Sequence, residues 1–305
     1  MISNELLNIL ICPKMIARNS EVSLTINNNK LFSNNNNYSY NIVEDIPDLR
    51  IDQGKVDYDE ILNIYRELKT PEILSDLNKA MDLKNISGNV LVAGAGTGTA
   101  IAQLKVFNPK LVVAVDYSNF IRKFKNHMDL FPDNTVFLQA DLCNLPIKKD
   151  SFDFVISDGV LHQTRTPEQS FRHLYRVLKP GGRLNLGHLY IKGAHNNLID
   201  IIRSKYLFHE MNEDEAYSKM KKMLMVRRLL KKIGLSRLHR KLKWPMYIHI
   251  SHLIDDTPEY AFVQAKDYYR ARYRHTLYKD DIFSWYEQLG MTVRKTQKGW
   301  EGIKV

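Results

Sequence analysis

The sequence predicts an α/β chain built on a doubly wound, mostly parallel sheet. From residue 88 onward, strand-length apolar runs alternate with helix-period segments: NVLVAGAG, TAIAQLKVF, KLVVAVD, an amphipathic stretch, VFLQAD, FDFVISDGVLH, SFRHLYRVLK and RLNLGHLY. Such alternation indicates a parallel sheet covered on both faces. The first run ends in Gly94, Gly96 and Gly98, spaced two apart. A glycine turn between strand and helix lets backbone approach a ligand, and ligands of these sheets sit at the carboxyl ends of the strands.

Around this body, residues 1–50 are Asn-rich and read as a small β-rich module, because NNNKLFSNNNNYSYNIVEDIPDL alternates in the manner of short strands separated by turns. Residues 51–87 carry helix-period apolar positions and one proline, a helical lead-in. The body itself occupies 88–190 and resumes at 280–305, where DDIFSWYEQLGMTVRKTQKGWEGIKV reads as a helix ended by Gly290 and then one or two closing strands. Between them, residues 191–279 form an insertion that reads as mostly helical and basic.

Composition narrows the function classes. With 305 residues, 44% of them apolar and 26% charged, the chain is long enough for a full core and is not a disordered polymer. No run approaches the roughly 18 apolar residues of a membrane span, and the amino terminus lacks the features of a secretory signal, so a cytoplasmic protein is expected. Two cysteines, Cys12 and Cys143, build neither a disulfide framework nor a four-thiolate zinc site. The net charge of +10 is local: residues 216–254 hold eleven Lys or Arg and no acid, and removing them leaves −1. Any argument for a polyanionic partner therefore rests on that segment.

The glycine spacing excludes two common loops. Counting G-x-G-x-x-G from Gly94 puts Thr99 where the third glycine should stand, and no Gly-Lys-Ser/Thr ending follows. The spacing G-x-G-x-G instead resembles the first motif of class I S-adenosylmethionine-dependent methyltransferases, a family with a seven-stranded Rossmann-like sheet. Further landmarks follow in the family's order: Asp116 in VVAVDYS, Asp141 in FLQADLCNLP, then FDFVISDGVLHQ and LYRVLKPGGRLNLG. The resemblance, closest to a bacterial type-11-like branch, implies S-adenosylmethionine as cofactor, S-adenosylhomocysteine as product and no metal. It places Gly94, Ala95, Gly96 and Gly98 against the methionine and ribose parts. Asp116 would accept from the ribose hydroxyls with Tyr117 beside it, Asp141 would contact the adenine amino group with Leu142 next to the ring, and Asp158 would complete the set. Singly, Asp116 and Asp141 each also suit a helix N-cap. One departure is Val92, where the family usually carries an acid.

The same resemblance extends to the ends. LLNILICPKM and YSYNIVEDIPDLR resemble the two halves of a small zinc-ribbon module that activates tRNA and protein methyltransferases, but here only Cys12 of its thiolates remains. A metal-free module packed on the enzyme or on a second subunit is expected. His162 in DGVLHQ lies where the family's active-site mouth opens, and a neutral histidine suits a general base near pH 7. Asp158, His188 and Tyr190 line the same edge by strand position, and one or more of the four is expected to contact the acceptor, with the alternative open that His162 only shapes the pocket. The tail RARYRHTLYKDDIFSWYEQLGM resembles the end of the same branch and puts Tyr273 and His275 on the acceptor side.

The expected activity is methyl transfer to an oxygen or nitrogen of a small-molecule, glycan or lipid-linked acceptor. A tRNA-modifying enzyme and a non-catalytic scaffold of the same fold are the alternatives. For the basic insertion three readings stand: a lid helix with a solvated basic face, a helix lying on a membrane surface, and a track for RNA through residues 216–254. Peripheral attachment to the membrane and homo-oligomerisation complete the expected associations.

Overall fold

A computed structural model of the chain describes residues 2–16, 18–35, 37–51, 83–189, 213–235, 273, 275–296 and 299–305. The lead-in beyond residue 51 and most of the insertion lie outside these residues.

The body is a seven-stranded sheet. Five parallel strands, β5 (Asn89–Ala93), β6 (Leu111–Asp116), β7 (Thr135–Gln139), β8 (Phe152–Asp158) and β9 (Leu178–Gly187), are closed by the antiparallel pair β10 (Thr292–Lys295) and β11 (Gly299–Ile303). The spatial order is β10-β11-β9-β8-β5-β6-β7. The chain winds outward from β5 through β6 to β7, then returns to place β8 on the other side of β5. That reversal creates a crevice at the carboxyl ends of β5 and β8.

Both faces of the parallel strands are buried, as their uninterrupted apolar runs require. On one face Val90, Val92, Val112, Ala114 and Ile156 pack with Ile101 of helix α3 (Thr99–Gln103) and with Phe120, Phe124 and Phe131. On the other, Leu91, Val113, Val155 and Leu184 pack with helix α4 (Pro167–Val177) through Phe171, Leu174 and Val177. Val92, where an acid was the family's usual choice, is thus a core residue, 1% exposed. The amphipathic stretch after β6 forms a 3-10 helix, Asn119–Leu130, interrupted at His127 where φ is −140°. The carboxyl-terminal helix, α6 (Lys279–Gln288), has Asp280 and Asp281 favourably placed in its first turn.

The amino-terminal module contains a four-stranded antiparallel sheet, β1 (Leu24–Asn27), β2 (Lys30–Ser33), β3 (Ser39–Val43) and β4 (Ile46–Pro47). It also contains two short helices that the strand pattern did not announce, α1 (Asn4–Ile9) and α2 (Pro13–Ile16), the first capped by Ser3 Oγ accepting from Leu6 N–H at 3.1 Å. Cys12 is buried within the module, its sulfur 3.1 Å from the Tyr40 hydroxyl.

The module joins the main sheet by backbone. Asp48 forms a parallel bridge with Gln139, Leu49 N–H donates to Gln139 C=O at 2.8 Å, and Leu10 bridges Ile147. The segment after β4 therefore covers the edge strand β7, satisfying polar groups that an open edge would leave to water or to another chain. Of the insertion, one helix is described, α5 (Glu213–Lys232).

Candidate active site

The loop after β5 and Asp116, Asp141, Asp158 and His188 lie at or just beyond the carboxyl ends of the parallel strands. The loop after β5 turns tightly because Gly94 and Ala95 N–H both donate to Val115 C=O, at 2.8 and 2.9 Å. Gly94 has φ +82°, and a Cβ there would stand 2.2 Å from a methyl of Val160. Gly96 has φ +51°, and nothing lies within 4 Å of where its Cβ would be. The first glycine is thus needed for packing, while the second opens backbone to free space.

That backbone is tied to Asp116. Gly96 N–H donates to Oδ2 of Asp116 at 2.8 Å, and Ser118 N–H donates to Oδ1 at 2.9 Å. Each carboxylate oxygen accepts a backbone N–H, which orients the group as a two-oxygen acceptor of the kind a vicinal diol requires. The space beside Gly96 and this oriented carboxylate together fit the ribose end of S-adenosylmethionine.

Asp141 follows β7 and caps the turn Leu142–Asn144, accepting from Cys143 N–H at 2.8 Å, with Arg165 3.6 Å from its other oxygen. The capping role open to it in the sequence is realised; Leu142 beside it is buried in the core. Cys143 is buried against Ser170 at 3.2 Å, and burial raises its pKa, so the thiol is no nucleophile at neutral pH.

On the acceptor side, Asp158 ends β8 and His188 follows β9. Their side chains meet, Nδ1 of His188 standing 2.6 Å from Oδ1 of Asp158. His162 sits in the 3-10 turn Leu161–Gln163 and is 1% exposed. Its carbonyl accepts from His275 N–H at 2.8 Å, so the tail is brought to this turn through backbone. Tyr273 is half-buried nearby in sequence. Tyr190 lies outside the described residues. Among the described residues, no group of three or more His, Cys, Asp or Glu is gathered in metal-binding proximity.

Sequence reasoning missed Arg50 and Asp48. Arg50 holds the turn that follows Asp116, donating to Tyr117 C=O at 3.1 Å with its guanidinium 5.4 Å from the centre of the Tyr117 ring. The one hint was an acid and an arginine two apart in DLR, which nothing local connects to residue 117.

The class of this segment follows from comparison with known proteins: residues 91–186 match the family described as the methyltransferase domain. Among individual relatives, the demethylmenaquinone methyltransferase of Clavibacter sepedonicus is 32% identical over 139 residues, covering 41% of this chain and 56% of its own length. The tRNA U34 carboxymethyltransferase of Pseudoalteromonas atlantica is 33% identical over 112 residues, 36% of this chain and 34% of its own. The chain spans about half the length, or less, of the curated relatives it matches. A solved structure described as a SAM-dependent methyltransferase from Aquifex aeolicus is similar over 82% of this chain and 100% of that one, with 14% identity and a TM-score of 0.42.

Proposed function

We propose that the chain is an S-adenosylmethionine-dependent methyltransferase that transfers a methyl group to an oxygen or nitrogen of a small-molecule, glycan or lipid-linked acceptor. The observation that carries this reading is the junction of Gly96 N–H with the Asp116 carboxylate at 2.8 Å, at the switch point of a sheet whose central segment matches the methyltransferase domain. The bound cofactor supplies a sulfonium-activated methyl group for in-line displacement. The chain's own groups hold and orient: Asp116 accepts from the ribose hydroxyls, and the open backbone at Gly96 lets the cofactor lie against the loop. Positioning of this kind is worth a large share of the barrier to a two-substrate transfer.

A neutral acceptor also has to lose a proton. With Nδ1–H of His188 donating to Asp158, Nε2 carries a lone pair and accepts that proton, the carboxylate favouring the imidazolium that forms. This assigns His188 as base and Asp158 as its orienting partner. His162, enclosed beneath the turn, shapes the wall instead.

Calorimetric titration with S-adenosylmethionine and S-adenosylhomocysteine tests the reading. Wild type should bind both at micromolar concentration, and Asp116→Ala should weaken binding roughly 10- to 100-fold, the worth of charge-assisted hydrogen bonds. Wild type that binds neither ligand would sink the proposal.

One observation favours a lipid-linked acceptor. On α5 and in the turn just past its end, Met225, Val226, Leu229 and Ile233 share one side and are each more than half exposed, with Lys221, Lys222 and Lys232 exposed around them. Exposed aliphatic side chains beside lysines suit an anionic lipid surface, whereas single-stranded RNA is held by aromatic stacking.

A further inference from the structure

We infer that Arg50, supplied by the amino-terminal module, is a positioning residue of the cofactor site that acts on Asp116 through the turn 117–119; the inference rests on the methyltransferase reading above. Arg50 lies 8% exposed between the module and β6. Its Nε and Nη2 donate to the two oxygens of Asp48 at 2.9 and 2.7 Å. Its Nη1 donates to Tyr117 C=O at 3.1 Å, and Nη2 reaches Asn119 Oδ1 at 3.4 Å. Residues 117 and 119 flank Ser118, whose N–H fixes Oδ1 of Asp116. The guanidinium therefore grips the turn on both sides of the group that orients the ribose carboxylate.

The grip is reinforced from the sheet edge. Gln139 Nε2 donates to Tyr117 C=O at 3.3 Å and to Asn119 Oδ1 at 3.0 Å, while Arg122 Nη2 donates to Gln139 Oε1 at 2.7 Å and stands 3.3 Å from Asp48. Asp48 and Gln139 are the pair that bridges the module to β7. Docking of the module and orientation of Asp116 are thus parts of one hydrogen-bonded unit. Only a planar fork of donors serves Asp48, the carbonyl and the ring together, so lysine is no substitute.

The expected consequence is on cofactor affinity and not on the chemical step. The full chain would be titrated with S-adenosylhomocysteine as wild type, Arg50→Lys, the matched pair Arg50→Gln/Asp48→Asn, and Glu21→Gln. The matched pair avoids leaving the Asp48 carboxylate buried without its main partner. Glu21 contacts the main domain at Arg176 and Lys149 and not at the 116–119 turn, so it reports on docking alone. Both Arg50 variants should bind roughly tenfold more weakly, with KM for S-adenosylmethionine raised by the same factor and kcat at saturation unchanged, and Glu21→Gln should bind as wild type. Arg50 variants that melt lower yet bind as wild type would overturn the inference, as would an equal loss in Glu21→Gln. Wild type that fails to bind overturns the methyltransferase reading itself, and the inference with it.

Discussion

Nδ1 of His188 stands 2.6 Å from Oδ1 of Asp158, which joins the ends of two neighbouring strands, since Asp158 pairs with Gly187 across β8 and β9. His188 makes this contact from a left-handed backbone, φ +41°, a conformation that disfavours a non-glycine residue by about 1–2 kcal/mol. The strained turn sends the imidazole back over the strand ends. If this pair removes the acceptor's proton, His188→Gln should lower kcat by roughly 10²-fold and leave S-adenosylhomocysteine binding intact. Full turnover in His188→Gln and in single substitutions of His162, Asp158 and Tyr190 would show that none of the four serves the acceptor.

The glycines of the loop should fail differently. Gly94→Ala combines a left-handed backbone with a methyl driven into Val160, and a destabilisation of roughly 2–4 kcal/mol is expected. Gly96→Ala meets no neighbour, so its cost to the fold is roughly 1–2 kcal/mol, but the methyl enters the space beside the cofactor loop. Thermal melts paired with S-adenosylhomocysteine titrations distinguish them: Gly94→Ala should chiefly lose stability, Gly96→Ala chiefly affinity.

Acid should weaken the fold through His173. Burial, helped by the positive charge of Arg176, lowers its pKa from 6.5 to about 4. A histidine held neutral in the fold protonates first in the unfolded chain, so its contribution is complete above about pH 6.5 and is lost as pH falls towards 4. Melting should therefore drop between pH 7.5 and 4.5, and His173→Gln should narrow that drop by roughly 2–4 °C. An unchanged drop would assign the acid sensitivity to other groups.

The exposed side of α5 makes a prediction about membranes. The protein should co-sediment with vesicles containing phosphatidylglycerol and not with neutral ones, and Leu229→Asp/Ile233→Asp should abolish the binding. Salt should weaken it through the lysines. Retention on RNA that the double substitution leaves unchanged would assign the basic segment to a polynucleotide.

The body of the fold was readable because its signals are local. Strands buried on both faces have to be apolar throughout, and β5, β6, β7 and β8 stand where such runs occur. The loop glycines, Asp116 and Asp158 could be located at strand ends, since the end of a parallel strand is a fixed address in this topology, while the roles expected of them came from the motif resemblance. The two helices of the module were not readable: six and four residues are too few for a helical period to show against strand-like neighbours.

What the sequence by itself determined is the order of strands and helices along the chain, because that follows from periodicities a few residues long, while the candidate residues at the strand ends came from the resemblance of the motifs. What only the tertiary structure decided is which of those residues meet. Asp158 and His188 are 30 positions apart and Arg50 and Tyr117 are 67, so each contact exists only once the sheet has closed and the module has docked on its edge. The same distinction separates the glycines: one turn pattern contains all three, but the Val160 side chain that crowds Gly94 is brought there from the end of β8, while nothing lies within 4 Å of a Cβ at Gly96.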